Sequence, residues 1–511
     1  MTWWQVGVGL VVAISGAVVA ALRWWRVAQR EHYLPGSVVR FLARWWRSTP
    51  ANVALGLVGL GALVGAIALP DLGLVWVLLA GGTSVVFPIG LPVRGTTSPL
   101  AWTDRLRRIA WGTGAIVAVV SGVLWWLVDP GVALVVLPLV VAVATDAALA
   151  VLAPYERRAS RQWIERARAG LRMVDPRVVA ITGSYGKTTA KEYARRVLAS
   201  AAPTVASPAS FNNAMGLARA INEGLAPGTE WFIAEMGTYG PGEIAEMCSW
   251  IPPDISAITA IGPVHLERFG DLDTTLASKA EIAERAEVVV LNVDDPRLAG
   301  LATSLEASGK RVVKVGVESP HLDVRVSPVD DGWAVEVGGV HVGDVPPIAF
   351  PTNLAVAVGI GVAAGIPLDG LGSAFDGAVT PDHRQTVARG PGGFWVVDDT
   401  FNSNPAGAAA ALEKLETAGI GRKVVVTPGM VELGHEQADA NEAFGEAAAT
   451  VADDLIIVRR TNRAALRRGG MRGTANVRFA RDRDEAIEWV RATLVSGDAV
   501  LYENDLPDHY P

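Results

Sequence analysis

Five apolar stretches precede residue 154, at about 3–22, 52–70, 72–90, 109–128 and 131–153, each near the ~20 residues that an α-helix needs to cross a bilayer. Backbone placed in hydrocarbon must satisfy its own hydrogen bonds, and a helix does so within a single segment. This feature therefore constrains the amino-terminal third more tightly than any motif downstream. Pro70-Asp71 and Asp129-Pro130 interrupt the apolar pattern, so the last four stretches read as two helical hairpins. The closeness of the second and third also fits a re-entrant pair. The first stretch is expected to be retained, since no positive charge precedes it and no small-residue cleavage site comes before Trp24-Trp25.

Arginine sets the orientation. Segment 23–51 carries Arg23, Arg26, Arg30, Arg40, Arg44 and Arg47, segment 91–108 carries Arg94, Arg105, Arg107 and Arg108, and Arg157, Arg158 and Arg161 follow the last stretch. All three groups fall on one side, and the opposite turns have no basic residue. The positive-inside rule then puts the amino terminus outside and everything after residue 154 in the cytoplasm, as a multi-pass protein of the inner (plasma) membrane. Eleven of the 17 tryptophans lie in this region, with pairs such as Trp24-Trp25 and Trp45-Trp46 near expected helix ends, where interfacial anchors belong. The basic segment 23–51 also suits an amphipathic helix lying along the inner leaflet. Asp146 is the sole ionisable residue within the apolar stretches, too few for a carrier driven by a nucleotide-binding domain.

A chain of 511 residues has room for about three domains. The net charge of -7 gives no support for nucleic-acid binding. One cysteine, Cys248, excludes a disulfide framework and a multi-cysteine metal site, and reads as a small buried hydrophobe.

From about residue 175 the pattern changes to β-branched runs alternating with Ala-rich segments: VVAITG, WFIAEMG, ISAITAIG and VVVLNV. That alternation argues a parallel α/β sheet. Residues 311–345 read as a small antiparallel insertion, and a second α/β unit begins near 380, with strands in FWVVDDT, RKVVVTPG, DLIIVRR and AVLYEND. The expected divisions are a transmembrane region over 1–153, a basic juxtamembrane linker over 154–174, a phosphate-loop parallel-sheet domain over 175–378 and a Rossmann-like domain over 379–511.

Within AITGSYGKTTAKEY (180–193) the strict phosphate-loop spacing fails, because Ile181 stands six residues before Lys187 where a glycine is expected. The strand–loop–helix context still lets backbone N–H groups gather round an anion at a helix N-terminus. Lys187 would reach a terminal phosphate and Thr188 would face Mg²⁺, the alternative being an ordinary Gly-rich turn. Only seven of the 45 basic residues are lysines, so a lysine in this chain calls for a reason. Glu235, His265 and Lys279 follow the ends of the next runs, where open α/β sheets bind ligands. Taken singly, a helix cap, a loop histidine and a solvated lysine explain them equally well.

Seven motifs in order, TGSYGKTT, SFNNAMG, AEMGTYGPGEI, ITAIGPVHLERFG, SKAEI, DDTFNSNP and TPGMVELG, resemble the Mur ligase family over roughly 175–511, most closely its branch that adds D-alanyl-D-alanine. The resemblance implies a membrane-anchored ATP-dependent carboxylate–amine ligase of cell-wall or envelope precursor synthesis, acting through an acyl phosphate with ATP and two Mg²⁺ ions. It implies that Gly183, Ser184, Gly186 and Lys187 hold the phosphates, with Tyr185, Thr188 and Thr189 also in the ATP site. Thr188 and Glu235 would bind one Mg²⁺ and His265 the second, supported by Lys279 once carbamylated. Asn353 matches the adenine-contacting asparagine in part, Arg384, Asp399 and Asn402 match residues closing over the nucleotide, and Asn212 and Asn213 match the acceptor side. The implied partners are a carboxylate acceptor, UDP- or lipid-linked and muropeptide-like, and an amino acid or dipeptide amine. The family's UDP-sugar domain is replaced by the apolar region, which leaves both a lipid-linked acceptor at the inner leaflet and a simple anchor open. A capsular poly-γ-glutamate-type ligase and a non-catalytic nucleotide-binding scaffold are the alternatives.

Overall fold

A computed structural model describes residues 1–511 apart from 96–98, 209–210, 349, 376–385 and 401–403. The chain divides into two compact units. One comprises Met1–Ala159, Arg459–Thr461 and Leu506–Pro511; the other comprises Ser160–Val458 and Asn462–Asp505.

The first unit is helical: α1 (Trp3–Arg30), α2 (Ser37–Arg47), α3 (Pro50–Ala68), α4 (Gly73–Val86), α5 (Asp104–Leu127), α6 (Pro130–Leu139) and the start of α7 (Val141–Val174). All five apolar stretches are largely helical; among the described residues α1, α3 and α5 are long and apolar enough to cross a membrane, and the bent α6–α7 pair makes a fourth if it is one span. The fifth stretch is broken, with α6 and α7 meeting at 69°. Pro138 lies just before the break, where its ring crowds the preceding turn and it offers no N–H. The third stretch stops at Val86, before Pro88. Small residues bring the helices close, as where Gly16 of α1 faces Gly81 of α4.

Asp146 has a structural task. Buried in α7, it accepts from the N–H groups of Gly36 at 3.0 Å, Val38 at 3.3 Å and Val39 at 2.7 Å. It thus caps the first turn of α2, whose own first residues supply no side-chain acceptor. That helix buries Val38, Phe41 and Trp45 and exposes Arg40 and Arg47, as an amphipathic helix should.

Residues 506–511 complete this unit. Asp508 pairs with Arg26 and Arg459, each at 3.3 Å. Trp45 Nε1 donates to His509 O at 2.8 Å, and His509 meets Glu31 at 3.1 Å.

In the second unit a nine-stranded sheet has the order β2-β3-β1-β4-β5-β6-β7-β8-β9. Its strands are β1 (Arg177–Thr182), β2 (Thr204–Ala206), β3 (Trp231–Glu235), β4 (Ile255–Ile258), β5 (Val288–Asn292), β6 (Arg311–Gly316), β7 (Val324–Val329), β8 (Gly332–Val337) and β9 (Val340–Val345). Pairing is parallel as far as β7 and antiparallel from β7 to β9. The antiparallel portion of 311–345 is therefore smaller than expected. β6 joins the parallel sheet because the helix Pro296–Ala307 carries the chain back from the end of β5. Apolar clusters line both faces, which is why β1, β3, β4 and β5 read as continuous β-branched runs.

A six-stranded sheet of order β10-β11-β15-β12-β13-β14 follows, comprising β10 (Thr386–Arg389), β11 (Trp395–Asp399), β12 (Lys423–Thr427), β13 (Asp454–Val458), β14 (Asn476–Ala480) and β15 (Ala499–Glu503). All its pairs are parallel except β10 with β11.

Candidate active site

β1 ends at Thr182 and the next helix, α8 (Lys187–Ala199), begins five residues later. The four residues between them form a tight loop over the carboxyl end of the sheet. Gly186 has φ +77°, and a Cβ there would meet Asn353 Oδ1 at 2.1 Å, so only glycine fits both the backbone and the contact. Asn353, buried at the start of the helix Pro351–Ala364, lies directly against this loop. Lys187 folds back, its Nζ donating to Gly183 O at 2.7 Å and to Ser184 O at 3.4 Å. Ser184 Oγ donates to Gly262 O at 3.1 Å and accepts from Gly262 N at 2.9 Å.

Glu235, at the end of β3 and buried, gathers three partners, two from α8 and one from the segment before the helix Ala214–Gly224. Its Oε2 accepts from Thr188 Oγ1 at 3.0 Å and lies 3.1 Å from Lys191 Nζ, while Oε1 accepts from Asn212 Nδ2 at 3.3 Å. Lys191 is fully buried. Its salt bridge supplies the counter-charge that a desolvated carboxylate requires. Asn213 caps the helix Ala214–Gly224, accepting from Gly216 N at 2.9 Å.

The residues present fit a nucleotide phosphate and Mg²⁺. Two buried hydroxyls at the loop, Tyr185 Oη and Thr189 Oγ1, have no hydrogen-bond partner among the described residues, as donors reserved for an anion would. The 3.0 Å between Thr188 Oγ1 and Glu235 Oε2 is close to the roughly 3.0 Å between neighbouring vertices of an octahedron with Mg–O bonds of about 2.1 Å. Among the described residues no group of three or more His, Cys, Asp or Glu side chains converges on a metal position. Any ion here would take its remaining ligands from elsewhere.

Lys279, near the end of the helix Leu272–Ala280, is buried. Burial first, and then the charge of Lys187, lower its pKa to about 7. Much of it is therefore a neutral amine at neutral pH, the form able to add CO₂. His265 Nδ1 contacts Glu432 Oε2, which lies in the MVELG segment, and Tyr239 meets the His265 ring edge-on at 5.0 Å. His265 and Glu432 both have left-handed backbone, φ +57° and +67°, an uncommon conformation for these residue types.

In the six-stranded sheet Asp399 ends β11 and Glu503 ends β15, paired in register. Glu503 is fully buried and takes the Thr427 hydroxyl as donor. Burial, ahead of the charge on Asp399, raises its pKa to about 8. Arg384 and Asn402 lie outside the described residues.

Sequence reasoning brought forward Lys187, Thr188, Glu235, Asn212 and Asn353, which the fold gathers around one loop. It passed over Lys191, Glu432 and Glu503. The scarcity of lysine was a usable signal for the first, whereas Glu432 and Glu503 depend on contacts made far along the chain.

Known proteins resemble the chain over this same region. The Mur ligase middle domain matches residues 181–340, and the glutamate ligase domain of Mur ligases matches 383–502. The UDP-N-acetylmuramoyl-tripeptide–D-alanyl-D-alanine ligase of Mycobacterium leprae is 30% identical over 366 residues, covering 63% of this chain and 70% of that protein. Its Bacillus subtilis namesake is 27% identical over 297 residues, 57% of this chain and 63% of that protein. Among solved structures, MurF of Thermotoga maritima in complex with ADP aligns with a TM-score of 0.58 and 23% identity, over 68% of this chain and 80% of the other. MurF of Acinetobacter baumannii aligns at 0.59 and 21%, over 68% and 77%. These structural likenesses are of fold.

Proposed function

The chain belongs to the Mur ligase family of ATP-dependent amide ligases, and from that premise we propose that it is held at a membrane by its amino-terminal helices and joins a carboxylate to an amine for envelope precursor synthesis. The supporting observation is the grouping of a phosphate loop, the Thr188–Glu235 oxygen pair and the buried Lys279 amine of lowered pKa.

A carboxylate is a poor electrophile, so ATP must first convert it to an acyl phosphate, which the amine then attacks to give amide and phosphate. Lys187 would offset charge on the phosphoryl group in flight, and the loop N–H groups would orient it. Thr188 and Glu235 would hold one Mg²⁺, and His265 with carbamylated Lys279 a second; bound there, Mg²⁺ supplies charge neutralisation and alignment. Lys191 would hold Glu235 pointed at the loop through their ion pair. Asp399, with Arg384 and Asn402, would close over the nucleotide, and Asn212 and Asn213 would face the acceptor.

The relatives named above act on a UDP-linked muropeptide and D-alanyl-D-alanine, by their names. Here the similarity begins after the apolar helices, so the acceptor is proposed to be muropeptide-like and presented at the inner leaflet, where tethering raises its effective concentration. The test is phosphate release from ATP by the full chain in lipid nanodiscs, which should require both an acceptor and an amine. Lys187→Ala should abolish it. Tight ATP binding without release, whichever muropeptide or glutamyl acceptor is supplied, would leave only a nucleotide-binding scaffold.

A further inference from the structure

Among the described residues, the side-chain hydroxyls at the phosphate loop are accounted for with two exceptions, Thr189 Oγ1 in the first turn of α8 and Tyr185 Oη within the loop itself. Ser184 is engaged with both backbone groups of Gly262, and Thr188 with Glu235. Tyr185 Oη is buried and has no partner among the described residues.

Its ring is nevertheless held firmly. The Tyr185 carbonyl accepts from the Thr259 hydroxyl, whose own backbone carbonyl accepts from Asn292 Nδ2 at 3.1 Å. The ring lies on Gly262, where an added Cβ would stand 2.3 to 2.6 Å from Tyr185 Cε2, Oη and Cζ. Position 262 is thus kept bare to seat this ring. Burial, with a smaller contribution from the charge of Glu436, pushes the phenol pKa above its ordinary range, so the group keeps its proton and is a donor throughout the physiological range.

A phenylalanine would fill the same space without burying an unmet hydroxyl, which costs stability. A donor placed in a loop built for anions, and left unmet by the chain itself, fits an oxyanion brought by a substrate. We propose that Tyr185 Oη contacts the reacting oxyanion of this site: the terminal phosphate of ATP or the carboxylate of the acceptor. The proposal rests on the ligase reading above and adds to it a substrate-contacting residue.

The experiment uses the full chain, wild type and Tyr185→Phe, in nanodiscs. Without nucleotide the Tyr185→Phe protein should melt at the same temperature as wild type or higher, since only an unmet hydroxyl is removed. If Oη meets the terminal phosphate, a non-hydrolysable ATP analogue with Mg²⁺ should bind about tenfold or more weakly to Tyr185→Phe, as loss of a hydrogen bond to a charged group predicts. ADP affinity should then be unchanged. If Oη meets the acceptor, both nucleotides should bind as before, while kcat/KM for the acceptor falls by a similar factor. Unchanged analogue affinity together with unchanged kcat/KM would overturn the proposal and leave Tyr185 a packing residue. If the wild-type chain binds the analogue but turns over no acceptor, the ligase reading fails by itself. In that case the analogue arm alone decides: weakened binding supports contact with phosphate, and unchanged binding overturns the proposal.

Discussion

Replacing Glu503 by glutamine should make the six-stranded sheet more stable at alkaline pH and almost no different at acidic pH. The carboxyl is fully buried at the end of β15, and burial raises its pKa from 4.5 to about 8. A folded form that keeps its proton to higher pH than the unfolded chain loses stability as pH rises between these two values, because over that window the folded state binds the extra proton. At 1.36 kcal/mol per pKa unit the full loss is about 5 kcal/mol, reached above pH 8. Glutamine has the same shape, can still accept from Thr427 and never ionises, so it escapes this loss. At roughly 4 °C per kcal/mol for a lobe of this size, a melting difference on the order of 10–20 °C is expected above pH 8. The assay is thermal unfolding of the full chain at pH 5, 6.5 and 8.5, with amide exchange in β12 and β15 to isolate this sheet. A gap between glutamine and wild type that is equally large at pH 5 and pH 8.5 would refute the reasoning, since it would show that ionisation of Glu503 plays no part.

Two further outcomes are expected. Lys279→Ala should lose turnover and regain part of it when a short carboxylate is added to stand in for the carbamate; full activity without any additive would remove the carbamate from the mechanism. Asp146→Ala should cost about 1–2 kcal/mol through the lost cap of α2, seen as faster amide exchange at Gly36, Val38 and Val39, and unchanged exchange there would show that the cap contributes little.

Local chemistry explains what was legible beforehand. The phosphate loop could be read despite the missing glycine because a loop four residues long, between a buried strand and a helix, needs glycine at its two ends, Gly183 with φ +151° and Gly186 with φ +77°, and both are present. The strands β1, β3, β4 and β5 could be read because both faces are covered and their β-branched runs are continuous. β2 has three residues and β14 is largely solvent-facing, so neither carries a periodic signal long enough to detect. Apolar composition does not register the interruptions near Pro88 and Pro138, so the stretches ending or bending there read the same in sequence as the unbroken α1, α3 and α5. Asp146 drew attention as a lone charge in an apolar stretch, and only the fold discloses that its partners are three backbone N–H groups more than a hundred residues earlier. Glu432 and Glu503 were invisible for the same reason: their surroundings are assembled from segments distant in sequence.

The helical unit is discontinuous along the chain, since Leu506–Pro511 is counted with Met1–Ala159. During synthesis the helices emerge hundreds of residues before Asp508, His509 and Tyr510 do. Arg26, almost fully enclosed in the finished protein, spends that interval without its carboxylate. The packing of this unit around Arg26 is therefore completed only after Asp508 has been made, so the helices reach their final arrangement late, when residues far along the chain are in place.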